Sequence, residues 1–169
     1  MKRRLMTRVL ILWALFFQIN LHALNSFADD PVFDFQKLTQ QEKLNDQTLP
    51  SKDLVKFWVV DFWASWCGPC QESFPYYEKL QNQYKKAGIQ FIGLSADESI
   101  QDAKDFLKGK EGTFPLFYDR LKWNDLWKIN TLPRLLIFDK NGIFVKTLRG
   151  FRSETKKELE DFFKSVPLH

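Results

Sequence analysis

Phe57-Trp58-Val59-Val60-Asp61-Phe62-Trp63-Ala64-Ser65-Trp66-Cys67-Gly68-Pro69-Cys70 is the stretch whose reading decides the fold of this 169-residue chain. Its first half is an apolar run rich in β-branched and aromatic residues, broken by one carboxylate. That is the pattern of a strand buried on both faces. Its second half is a Gly-Pro turn held between two cysteines. Beyond Cys70 the apolar residues recur at helical spacing, so the cysteines sit where a strand ends and a helix begins.

Two cysteines separated by two residues at a helix start can close a small disulfide ring and reopen it through a mixed disulfide. The reacting species is the thiolate, which the free N–H groups and the dipole of a helix N-terminus stabilise. Cys67, nearest that terminus, is the expected attacking thiol, and Cys70, one turn further in, the expected resolving thiol. The competing reading is half of a zinc site. That would require two more ligands, and the chain has no third cysteine and only two histidines, His22 and His169. Asp61 is the second candidate for chemistry. A carboxylate inside an apolar strand loses hydration, which raises its pKa and lets it carry protons near neutral pH. Its other reading is a strand-end aspartate satisfied by backbone N–H groups or a cation.

The chain opens with Met1-Lys2-Arg3-Arg4 and Arg8, then the apolar run Val9 to Phe17, and small residues at Ser26 and Ala28. This pattern predicts a signal peptide over residues 1–28, cut after Ala28, and one domain over 29–169. The alternative is an uncleaved membrane anchor, against which Gln18, Asn20 and His22 interrupt the apolar continuation. All four leader charges are basic, so the formal net charge of +4 belongs to the leader. Removing them from the 25 basic residues leaves 21, equal to the 21 acidic ones. Nothing in that balance points to nucleic acid. An aromatic content of 16% signals a filled core and excludes a disordered chain. Both cysteines belong to one motif, so packing holds the fold and no separate disulfide staple exists.

The remaining sequence supplies the layers. Phe33 and Phe35 alternate across Asp34, which predicts a short strand or extended arm. A helix to about Ala87 carries Tyr77, Leu80, Tyr84 and Ala87 on one face, with Pro75 predicting a kink or a fresh start. Ile89 to Leu94 reads as a buried strand. Ser99 caps a helix bearing Ile100, Ala103, Phe106 and Leu107, and a short strand follows within Thr113 to Asp119. Trp123, Leu126 and Trp127 lie on one face of a short helix. Asn141-Gly142 between two apolar runs predicts a hairpin of Leu135–Phe138 with Ile143–Leu148. Ser153 or Thr155 caps a last helix bearing Leu159, Phe162, Phe163 and Val166. This order predicts an α/β fold, a central mixed sheet with helices on both faces.

The segment Val60 to Cys70, with its flanking aromatics and its acid six residues before the first cysteine, resembles the active-site segment of the thioredoxin superfamily. The element order extends this likeness to the exported TlpA/ResA-type branch, with a helix-strand insertion around residues 95–119. The resemblance implies a thioredoxin-like three-layer sandwich and a thiol-disulfide oxidoreductase using Cys67 and Cys70 as its redox-active disulfide. It matches Asp61 to the buried acid that relays a proton to the resolving thiol. It makes Pro133 a cis-proline beside the cysteines, with the preceding backbone pairing an extended substrate. Trp66, Gly68, Pro69, Leu132 and Pro133 would then form the substrate groove. The expected partners are exported proteins bearing disulfides and a membrane thiol reductase as electron donor. A periplasmic monomer is expected, with no metal, no cofactor and a possible role in cytochrome c maturation. Leu132 and Arg134 differ from the residues usual around that proline. Residues 89–94 also lack the lysine that thioredoxins carry near the buried acid. A reductant is the expected activity; an oxidase or isomerase of the same fold, or a non-catalytic binding module, are the alternatives.

Overall fold

Strand β2 (Phe57–Trp63) occupies the middle of the molecule because both its edges and both its faces are occupied. The computed structural model describes residues 32–110 and 112–167, so the expected signal peptide over 1–28 lies outside the described residues. Around β2 are β1 (Glu42–Lys43), β3 (Ile89–Ser95), β4 (Leu116–Tyr118), β5 (Arg134–Asp139) and β6 (Phe144–Arg149). They form one six-stranded sheet in the order β1-β4-β3-β2-β5-β6. The β2–β3 and β3–β4 pairs are parallel, while β2–β5, β5–β6 and β1–β4 are antiparallel. The sheet is therefore mixed, and its two central strands, β3 and β2, carry the near-continuous apolar sequence that double burial demands.

The helices are α1 (Phe35–Leu38), α2 (Gly68–Tyr84), α3 (Ile100–Leu107), α4 (Trp123–Leu126) and α5 (Ser153–Ser165). Side chains alternate across β2 with a period of two. Val59 and Trp63 join Phe91 and Ile137 under α2 and α5, whose Phe74, Tyr77, Leu80, Leu159 and Phe163 close that core. Trp58, Val60 and Phe62 point the other way, into a core shared with Ile92, Leu136, Phe138, Phe33, Leu38 and Trp123. Two helix-bearing layers around one sheet make the three-layer α/β sandwich.

Several local expectations are corrected. Phe33 and Phe35 do not alternate along a strand. The Asp34 carboxylate accepts hydrogen bonds from the Gln36 and Lys37 N–H groups and starts α1, while Phe33 is buried against Trp123 and Phe138. No fresh helix starts at Pro75; α2 runs through it to Tyr84 and closes through a 3-10 turn at Lys85–Ala87. Ser153 and Thr155 do not cap α5, whose N-cap is Arg152. Thr155 instead donates to the Arg149 carbonyl at 3.3 Å. On α4, Trp123 is buried while Leu126, three positions on, is 55% exposed. The two-residue β1 carries no apolar pattern and was invisible to one.

The β5–β6 hairpin forms, with Gly142 in the left-handed region at φ 85°. Asn141 is not left-handed, and the Asp139 carboxylate accepts from the Asn141 and Ile143 N–H groups. A register shift follows at Ile137/Phe138. At the turn itself the Gly142 N–H donates to the Asp139 carbonyl at 3.0 Å and the Asp139 N–H to the Ile143 carbonyl at 2.9 Å, so the loop is a three-residue one with glycine at its left-handed position, not a two-residue mirror turn.

Candidate active site

The C-terminal end of β2 delivers the chain into Ala64-Ser65-Trp66 and then into the first turn of α2, so sheet and helix together fix where the cysteines stand. Cys67 is the N-cap of α2, with Gly68 and Pro69 in the first two helical positions. A proline there loses no helical hydrogen bond. Cys67 and Cys70 are joined by a disulfide with Sγ–Sγ 2.07 Å. The Cys70 N–H donates to the Cys67 Sγ at 3.2 Å, so the sulfur occupies the place of an N-cap oxygen. A thiolate formed there meets the positive end of a 17-residue helix. Cys67 keeps 5% of its surface and Cys70 none. Of the two, only Cys67 lines the adjoining cleft.

That cleft has a volume of about 490 Å³ and is walled on one side by Trp66, Gly68, Pro69 and Ala96. Asn124 from α4 and the segment Ile129–Leu132 complete its lining. Trp66 stands 70% exposed at its rim. Leu132 lines the cleft, and Pro133, joined to it by a cis peptide bond, is buried.

Asp61 lies between Val59 and Trp63 on the face that carries Cys70 and Tyr77. It is fully buried, and among the described residues neither carboxylate oxygen has a hydrogen-bond partner. Among the described residues, no backbone N–H or basic side chain satisfies it as the strand-end reading would require. Burial alone pushes its pKa up to about 8. Tyr77, pushed well above the ordinary tyrosine value by burial first and by the Asp61 charge second, marks the same pocket. At neutral pH Asp61 is thus mostly a neutral acid whose proton affinity is close to that of an ordinary thiol.

Two polar anchors escaped the sequence reading. Asp97, buried just past β3, accepts the Ser65 N–H at both carboxylate oxygens, 3.0 and 3.1 Å. It also accepts the Ser65 and Ser95 hydroxyls, each at 2.7 Å. Gln71 donates from α2 to the Ser65 carbonyl at 2.9 Å. The loop before Cys67 is therefore tied to β3 and to α2 at once. Asp119 anchors the other wall: its carboxylate accepts the Trp123 and Asn124 N–H groups at 2.9 and 2.8 Å and starts α4. Acidic residues after a strand are common in sequences, and no local signal distinguishes these two from solvated loop charges. Among the described residues no cluster of three or more histidine, cysteine or acidic side chains could hold a metal.

A mixed sheet flanked by helices, with a vicinal dithiol capping a helix above a cleft, defines a thioredoxin-fold dithiol protein. The Redoxin family model matches residues 28–163. The chain belongs to that family, and within the thioredoxin superfamily it is a ResA-like thiol-disulfide oxidoreductase. Thiol-disulfide oxidoreductase ResA of Bacillus cereus is 30% identical over 171 residues, covering 98% of each chain. A crystal structure from Chlorobium tepidum, provisionally named as a thiol:disulfide interchange protein DsbE, shares 30% identity with a TM-score of 0.62. The match covers 75% of this chain and 96% of that one. The thioredoxin domain of a thiol-disulfide oxidoreductase from Bacteroides vulgatus shares the fold at 24% identity and a TM-score of 0.58, over 73% and 91% of the two chains.

Proposed function

We propose that this oxidoreductase is an exported reductant of protein disulfides. The observation that carries the reading is the asymmetry of the pair: Cys67 opens on the cleft at a helix N-terminus, and Cys70 is sealed on the Asp61 side. In the reduced protein the Cys67 thiolate attacks one sulfur of a substrate disulfide, forming a mixed disulfide and releasing the first substrate thiolate. Cys70 then loses its proton and attacks the Cys67 Sγ. This releases the second substrate thiolate and leaves the Cys67–Cys70 disulfide, two electrons having passed to the substrate. The ionised fraction of Asp61 accepts the Cys70 proton, and protonated Asp61 returns it when the disulfide is reduced again.

The Gly-Pro pair between the cysteines and the uncompensated acid support reduction over oxidation. Export rests on the leader pattern of residues 1–28, and a periplasmic reductant needs electrons from a membrane thiol reductase, because that compartment is kept oxidising. The family resemblance makes apocytochrome c a candidate substrate. Two measurements test the reading. Cys70→Ser should accumulate mixed disulfides at Cys67, and Cys67→Ser none; the reverse pattern overturns the roles. A reduction potential above about −150 mV overturns the reductant, since strong oxidants of this chemistry lie near −120 mV.

A further inference from the structure

Arg134, the first residue of β5, is 4% exposed, and none of the ion pairs among the described residues includes it. Its cross-strand neighbour is another cation, Arg149. A buried guanidinium with no carboxylate is costly, and it persists only where its hydrogen bonds have a use. Those bonds run backward along the chain to the cleft. Nη2 donates to Thr131 Oγ1 at 2.8 Å and to Asn130 Oδ1 at 3.2 Å, and Nη1 reaches Thr147 Oγ1 on β6 at 3.5 Å. Nε has no partner. Asn130 and Thr131 line the same cleft as Leu132, Trp66 and Cys67. The guanidinium therefore brackets Leu132 and ties one cleft wall to the sheet, while Asp97 ties the other.

We infer that Arg134 is a positioning residue for protein substrates: it holds the Asn130–Leu132 wall at the spacing from Cys67 that an extended segment must meet. This rests on the reading of the cleft as the site where a protein disulfide docks. None of the hydrogen bonds Arg134 makes ends on Cys67, so sulfur exchange with a small disulfide does not require the wall it holds. Docking and sulfur chemistry should separate on substitution.

The test uses the full chain, with bovine insulin as the protein disulfide, dithiothreitol as electron source, and dithionitrobenzoate as the small disulfide. Arg134→Met keeps the apolar stem and removes the bonds. It should raise KM for insulin about tenfold with kcat within about twofold, the loss expected for hydrogen bonds to a charged group. The rate of the pre-reduced protein with dithionitrobenzoate should stay within about twofold. Thr131→Val should reproduce part of the KM rise in the parent and add nothing to Arg134→Met. Arg134→Lys, with one point charge in place of a fork, should fall between parent and Arg134→Met. Equal loss with both disulfides, no change with either, or additive effects of Thr131→Val overturn the inference. A parent protein that reacts with dithionitrobenzoate and leaves insulin intact overturns the docking reading itself, and this inference with it.

Discussion

Asp61 on β2 stands in register with Gly93 on β3, and a methyl group at Gly93 would come within 2.4 Å of Leu116 Cδ2 and 3.2 Å of the Trp63 Nε1. The space beside the buried acid on β3 is thus packed shut by a β4 leucine and an indole. Gly93→Ala should destabilise the fold by about 1–3 kcal/mol through overpacking, read as a lower urea midpoint at unchanged slope. An unchanged midpoint would mean that Leu116 gives way freely.

Without a cation beside it, Asp61 makes stability depend on pH. Its folded pKa of about 8 lies above the unfolded value of an ordinary carboxyl, so the folded protein binds the extra proton. That stabilisation is complete below about pH 4, declines as pH rises from there, and is gone above about 8. Asp61→Asn stays neutral throughout. Between pH 5 and 9 the urea midpoint of the parent should fall more steeply than that of the variant. The pH profile of mixed-disulfide resolution should change with it, while attack by Cys67 should not.

The four hydrogen bonds that end on Asp97 predict a large cost for removing it. Asp97→Ala leaves the Ser65 N–H and two hydroxyls seeking partners and should cost about 3 kcal/mol by urea unfolding. Asp97→Asn, which keeps one acceptor oxygen, should cost less. Both should slow insulin reduction, because the loop they free is the one that carries Trp66 and Cys67.

Trp66 behaves in the opposite way. At 70% exposure it contributes little to the core, so Trp66→Ala should change stability by less than about 0.5 kcal/mol. Loss of its apolar surface at the cleft rim should nonetheless weaken insulin turnover several-fold, as for an aromatic anchor of a docking surface. A matching fall in stability would show that the ring packs where exposure says it does not.

Much of this molecule is written in short-range patterns. The period of two through Phe57–Trp63, the helical spacing after Cys70 and the glycine at position 142 each act between residues a few positions apart, so chain order alone carries them. The cysteine pair belongs to the same class, since its spacing and the helix start that activates it are both local. Where local signals conflicted, as at Asp34 between Phe33 and Phe35, or at Pro75, packing decided. The capping bonds at Asp34 and burial of Phe33 outweighed alternation, and the flanking turns carried α2 through its missing donor.

What only the tertiary structure decided is which distant groups meet. Asp97 reaches Ser65 across 32 residues because β2 and β3 are parallel neighbours, so their C-terminal ends lie side by side. Arg134 reaches Thr147 because the β5–β6 register places the two side by side. The isolation of Asp61 is likewise a property of the sheet, set by a glycine one strand away and a leucine two strands away. Amino-acid order determined the reactive dithiol and the layers that bury it. The cleft and its buried charges depend on sheet register, which emerges only when segments remote in sequence pair.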